Sequence, residues 1–186
     1  MSLHKHNKII FTGPVGAGKT TAIQTISDVP VVHTEEDASD EVKNMKQKTT
    51  VAMDYGAIII DENNKIHIYG TPGQRRFNFM WEILSQGCVG LILLIDGTSK
   101  EVKNDLVFFL SEFDKTITST AVAIGVTKTD ESGAIKLAEL RTVMSAEQNR
   151  YPMFEVDARK KTDVSILIES LLYTLNPCLM RTSNDH

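Results

Sequence analysis

Gly13-Pro14-Val15-Gly16-Ala17-Gly18-Lys19-Thr20 decides how the chain is read. The octapeptide satisfies G-x-x-x-x-G-K-[ST], follows an apolar run of strand length at 8–12, and opens a segment of helical period at 18–27. Glycines let backbone N–H groups turn inward around phosphate oxygens, and a helix N-terminus adds positive potential there. In such a loop Lys19 reaches the β- and γ-phosphates of a nucleotide, the Thr20 hydroxyl ligates Mg²⁺, and Thr21 adds a hydroxyl for the α-phosphate. The alternative is a glycine-rich turn that only caps a helix. Agreement of strand, turn and helix around the motif favours the phosphate reading.

Short apolar runs alternate with helical segments along the chain, the pattern of a parallel sheet wrapped by crossover helices. The expected fold is α/β with a six-stranded, mostly parallel sheet, its strands at 8–12, 50–60, 65–69, 89–95, 121–126 and 153–156. The second and third, joined by Asp61-Glu62-Asn63-Asn64, read as a β-hairpin and as the one antiparallel feature. The runs at 89–95 and 121–126 are nearly all apolar, as expected of central strands covered on both faces. Helical stripes are expected at 101–113, 134–147 and 163–175, the last stopped before Pro177. Residues 31–49 are polar, an acidic half preceding Lys43, Lys46 and Lys48, and fit a solvated surface as well as an interaction segment.

A chain of 186 residues can bury a sizeable core without disulfides or metals, so residues 1–186 are expected to form a single domain. A net charge of -4 supplies no electrostatic reason to expect a nucleic-acid partner. The 2 cysteines, Cys88 and Cys178, are far apart and lack a CxxC spacing, which fits incidental thiols of a reducing compartment. The first residues, MSLHKHNK, contain no apolar signal region and no Gly at position 2, and the last, RTSNDH, no prenylation box. The longest apolar run is too short to span a bilayer. A cytoplasmic location, with membrane recruitment only through partners, is therefore expected.

Three further strings fall at strand ends. Gly70-Thr71-Pro72-Gly73-Gln74 follows the strand at 65–69, where Gly73 can offer its N–H to a γ-phosphate and Gln74 can orient an attacking water. Thr127-Lys128-Thr129-Asp130 follows the strand at 121–126, at the edge where open α/β sheets bind ligands. Asp130 can accept from guanine N1–H and the exocyclic amine, which adenine does not offer, while the Lys128 stem covers the base. Asp157-Ala158-Arg159 closes the set, with the Ala158 N–H available to guanine O6.

In this order the strings resemble those of the Ras-like small GTPase superfamily, from about residue 8 to 175. The GTPGQ and DAR forms are similar to a prokaryotic branch of MglA-like GTPases and bacterial GTPases related to the signal recognition particle receptor β-subunit. The resemblance implies a Ras-like three-layer α/β/α domain and a GTP/GDP switch with Mg²⁺ that hydrolyses GTP slowly. It also implies an effector and a GTPase-activating partner, roadblock-type in this branch. Thr50, with Thr49 as alternative, is then the threonine that closes on Mg²⁺ and the γ-phosphate. Gly70 stands where most of the superfamily has an aspartate near Mg²⁺, Val15 where glycine is frequent, and Thr127 where asparagine is usual. The first two departures bear on the rate of hydrolysis, and Thr127 on the bracing of the loop. The rival expectations are a non-hydrolysing nucleotide-dependent scaffold and an ATP-dependent kinase sharing the phosphate loop.

Overall fold

The computed structural model describes residues 7–33 and 53–175. Strand β1 (Asn7–Thr12) leads through the glycine-rich turn into α1 (Lys19–Ile26), followed by β2 (Val32–His33), β3 (Asp54–Ile59) and β4 (Lys65–Gly70). Helix α2 (Asn78–Ser85), β5 (Gly90–Asp96), α3 (Val102–Glu112), α4 (Asp114–Ser119), β6 (Ala121–Thr127), α5 (Leu137–Arg141), β7 (Met153–Glu155) and α6 (Lys161–Leu175) complete the described chain. The sheet order is β2-β3-β4-β1-β5-β6-β7.

The sheet thus has 7 strands rather than the six expected. The addition is β2, which pairs antiparallel with β3 through Val32↔Tyr55 and His33↔Asp54, so the hairpin is not the one antiparallel feature. Two residues are too few to show a period of two. Of the strand expected at 50–60, β3 forms Asp54–Ile59, with Met53 and Ile60 beyond its ends; residues 50–52, Thr50 among them, and Thr49 lie outside the described residues.

The helix expected at 134–147 is reduced to α5, although Leu140 and Met144 are buried as its stripe requires. Beyond it the Ser145 N–H donates to Gln148 Oε1 (3.0 Å) and the Gln148 N–H donates to Ser145 Oγ (3.2 Å). These side chains satisfy the backbone locally and turn the chain toward β7. Helix α2, unread in the sequence, buries Trp81 and Ser85 and leaves Phe79 and Ile83 exposed, which blurs its apolar stripe.

Alternation along the central strands divides the core between the two sheet faces. Ile9, Phe11, Ile92 and Leu94 pack with Ile23 of α1 and Val164, Leu167 and Leu171 of α6. Ile10, Leu91, Leu93 and Ile95 pack with Trp81 of α2 and Leu106, Phe109 and Leu110 of α3. Each such side chain contributes about 1.5–3 kcal/mol relative to exposure. The parallel strands β4, β1, β5, β6 and β7 bring Gly70, Thr12, Asp96, Thr127 and Glu155 to one edge of the sheet. Because β3 is antiparallel to β4, its first residue, Asp54, arrives at that same edge, opposite Gly70.

Candidate functional site

The turn between β1 and α1 depends on its glycines. Gly13, Gly16 and Gly18 have φ of 136°, 82° and 87°, values that L side chains rarely adopt. At Gly13 a Cβ would lie 1.9 Å from the Leu94 carbonyl oxygen, so the loop is seated on β5 at a point that admits no side chain. The Ala17 N–H donates to Pro14 O (3.3 Å), and Ala17 is buried, whereas Val15 is 67% exposed at the loop tip.

Lys19 is the buried cation of the loop, 9% exposed, and its ammonium donates to Gly13 O (2.8 Å) and Pro14 O (2.7 Å). Burial lowers its pKa to about 8, against a smaller opposing effect of the Asp54 carboxylate. Removal from water disfavours the charged form, which an arriving phosphate would restore. Thr20 and Thr21 are exposed on the first turn of α1. The Thr20 hydroxyl donates to Asp54 Oδ2 (2.5 Å), and Asp54 Oδ1 lies 2.7 Å from His33 Nδ1.

The other three strings converge on this loop. A Cβ at Gly73 would meet Val15 N at 2.6 Å and Lys19 Nζ at 2.8 Å, so the Gly73 backbone lies directly against the loop and its lysine. The string is tied to the end of β1 by the Thr71 N–H to Phe11 O (2.9 Å) and by the buried hydroxyl pair Thr71–Thr12 (2.9 Å). Gln74 is exposed beside it, and its carbonyl accepts from the Phe77 N–H (3.1 Å).

On the other flank, a Cβ at Gly18 would lie 3.2 Å from Ala158 Cβ and 3.8 Å from Thr127 Cγ2. The Thr127 hydroxyl is buried and within 3.2 Å of both Ala17 O and Ile95 O, bracing the loop with a single proton where an asparagine amide would bring two. Lys128 has φ 58°, the one positive value outside glycine among the described residues, and its ammonium donates to Asp96 Oδ2 (2.5 Å). Burial opposes ionisation of Asp96, but hydrogen bonds from Lys128 and Thr98 outweigh it and hold the carboxyl below its usual range. Asp130 is exposed at this edge.

Asp157 does not face outward alone. Arg159 Nε (2.8 Å) and an Arg159 terminal nitrogen (2.9 Å) both donate to its carboxylate, and these bonds lower its pKa to about 2. The Asp157 N–H donates to Asp163 Oδ2 (3.0 Å), which orients the turn that carries buried Ala158.

Two carboxylates of the site escaped sequence reading. Asp96 ends β5 just past its apolar run and shows its role only through its contact with Lys128. Asp54 was signalled indirectly, because Gly70 lacks the carboxylate that its neighbours in sequence lead one to expect. Counting the hairpin register back from the turn would have placed Asp54 opposite it.

A glycine-rich strand-to-helix loop with a buried lysine, at the carboxyl edge of a mostly parallel sheet, defines the class of P-loop α/β proteins. The chain belongs to the family described as "Conserved hypothetical ATP binding protein", whose model matches residues 11–130. It is 31% identical over 126 residues to "Uncharacterized protein MJ1339" of Methanocaldococcus jannaschii, covering 66% of this chain and 70% of that protein. It is 27% identical over 158 residues to "GTP-binding protein YPT1" of Saccharomyces cerevisiae, covering 84% and 72%. With "GTP-binding nuclear protein GSP1" of Encephalitozoon cuniculi it shares 24% identity over 180 residues, covering 95% and 80%. A relationship to the P-loop GTPases accompanies membership of the family. No helix among the described residues is long and apolar enough to cross a membrane.

Proposed function

We propose that the chain is a guanine-nucleotide-dependent switch that binds GTP and GDP with Mg²⁺ and hydrolyses GTP slowly. The observation that carries this reading is convergence. A side chain at Gly73 would meet Val15 and Lys19 on one side of the phosphate loop, and one at Gly18 would meet Ala158 and Thr127 on the other. This convergence supports one site in which the phosphates and the base are held at different ends. Helices on both faces of the sheet among the described residues support a Ras-like three-layer arrangement, and a single domain over residues 1–186 belongs to the same reading.

In this reading Lys19 and the N–H groups of residues 15–19 receive the phosphates, and Gly73 and Gln74 serve the terminal one. Mg²⁺ favours oxygen donors and is held by one or two side chains together with phosphate oxygens and water. The Thr20 hydroxyl beside the Asp54 carboxylate is such an oxygen pair. When bound, the ion neutralises charge on the β- and γ-phosphates. Asp54 takes the part that Gly70 cannot, and Thr50, outside the described residues, is the proposed second hydroxyl. Lys128, Asp130 and Ala158 read the base, with Asp157 and Arg159 shaping the turn under it. An effector that reads the loops around Thr50 and Gly73, and a roadblock-type activating partner, belong to the same reading. So does the prokaryotic branch similar to MglA-like GTPases, which rests on the GTPGQ and DAR strings.

The family's description names ATP, so adenine is the rival base. Displacement of a fluorescent GDP by unlabelled nucleotides tests the choice. GTP and GDP should compete at least tenfold better than ATP, and Asp130→Asn should remove roughly that factor, since hydrogen bonds to a charged group contribute about 1.5–3 kcal/mol. Equal competition by ATP, or unchanged selectivity in Asp130→Asn, would sink the guanine reading.

A further inference from the structure

Trp81 is 3% exposed, and its ring is packed between three phenylalanines of the α3 region. Its ring centroid is 5.0 Å from Phe109, 5.4 Å from Phe113 and 6.2 Å from Phe108. The rings fix the indole plane, and its single donor, Nε1–H, is spent on one acceptor, the buried carbonyl of Pro72 at 2.9 Å. A buried indole N–H needs such a partner, so ring and loop are held together.

Pro72 O and the Gly73 N–H belong to one peptide group. No cis peptide occurs among the described residues, and in a planar trans peptide the carbonyl and the N–H point in opposite directions. Holding Pro72 O toward the indole therefore turns the Gly73 N–H away from the aromatic cluster. Gly73 itself lies against Val15 and Lys19 of the phosphate loop. Glycine at 73 leaves this peptide otherwise easy to rotate.

The other side of Gly73-Gln74 is also anchored to α3. The Arg75 guanidinium donates to Asp105 Oδ1 (3.0 Å) and lies 3.9 Å above the Phe108 ring, itself edge-on to Trp81. Gly73 and Gln74 are thus bracketed by fixed points on one aromatic cluster.

We propose that Trp81 is a positioning residue for triphosphate recognition: its indole N–H sets the direction in which the Gly73 amide is presented to the γ-phosphate. The inference rests on the nucleotide reading above and adds a determinant of GTP over GDP that touches neither nucleotide. GDP has no γ-phosphate, so its affinity is independent of the peptide's direction.

Trp81 is the chain's only tryptophan. Biosynthetic replacement of tryptophan by its benzothiophene isostere therefore exchanges one N–H for sulfur while keeping the ring shape, and Trp81→Phe provides a second, genetic variant. Affinities for GTPγS and GDP, each with Mg²⁺, are measured with apo thermal unfolding as the control on packing. The proposal expects GTPγS affinity to fall about three- to tenfold in the isostere, the range of one neutral hydrogen bond, with GDP affinity unchanged. An unchanged ratio overturns it, and so does an equal loss for both nucleotides, which marks a purely structural tryptophan. If the unaltered protein binds neither nucleotide, the functional reading falls first and this inference with it.

Discussion

Asp54 and Gly70 are cross-strand partners, and the carboxylate of the first occupies the space above the second. A Cβ at Gly70 would lie 3.1 Å from Asp54 Cβ and 3.3 Å from Asp54 Oδ2, and the same carboxylate accepts from Thr20 at 2.5 Å. Glycine at 70 is thus the condition for an aspartate at 54 to reach the first turn of α1.

The consequence is measurable on Mg²⁺. Asp54→Ala should raise the Mg²⁺ concentration needed to retain GDP by about tenfold or more, the loss of a charge-assisted hydrogen bond. Gly70→Asp alone should hinder folding, because the new side chain meets Ile23 Cδ1 at 2.8 Å as well as Asp54. GDP release followed against Mg²⁺ concentration checks the first, and thermal unfolding the second. Unaltered Mg²⁺ dependence in Asp54→Ala would remove Asp54 from the site.

Lys19 sets a pH dependence. Its folded-state pKa of about 8 lies below the ordinary 10.5, so between these values the unfolded chain holds a proton that the folded chain has released. Apo stability should therefore rise with pH across that window, by on the order of 3 kcal/mol, and be insensitive to this group below it. Lys19→Met should lack that rise when denaturant unfolding is compared at pH 7.5 and 10 (both about). Nucleotide phosphates should recharge the amine, so calorimetry near pH 9, in buffers of different ionisation enthalpy, should show uptake of part of a proton.

Gly13 and Gly73 make opposite demands. Gly13→Ala places a methyl 1.9 Å from Leu94 O at a φ of 136°, and should cost several kcal/mol of apo stability, on the order of 3 or more. Gly73→Ala projects toward Val15 N and Lys19 Nζ and should impair triphosphate binding more than it lowers stability. Thermal unfolding beside GTPγS and GDP titrations separates the two; a Gly13→Ala protein as stable as wild type would contradict the described loop.

Arg75 is held on α3 by Asp105 and Phe108 rather than at the phosphate end of the site. Intrinsic hydrolysis should accordingly be slow, on the order of 10⁻⁴ per second as in unassisted small GTPases, and should not collapse in Arg75→Ala. Single-turnover measurement on the purified protein checks both, and a rate that collapses in Arg75→Ala would show that the arginine leaves its place on α3 to act in cis.

Much of this was legible in the chain itself. The apolar run of Ile9, Ile10 and Phe11, the apolar runs of β5 and β6, and the spacing of Gly13, Gly16, Gly18 and Lys19 are local patterns, and local patterns follow from the strand and helix periods and from what glycine alone permits. They determined an α/β sheet with a phosphate loop after its first strand. Tertiary structure decided what depends on which elements touch: the two-residue β2, the shortening of α5, the contact of the Asp54 carboxylate with Thr20, and the indole of Trp81 on Pro72. Outside a hairpin a strand carries no mark of its partner's register, and a buried donor carries no mark of its acceptor, because both are set by packing between segments distant in sequence.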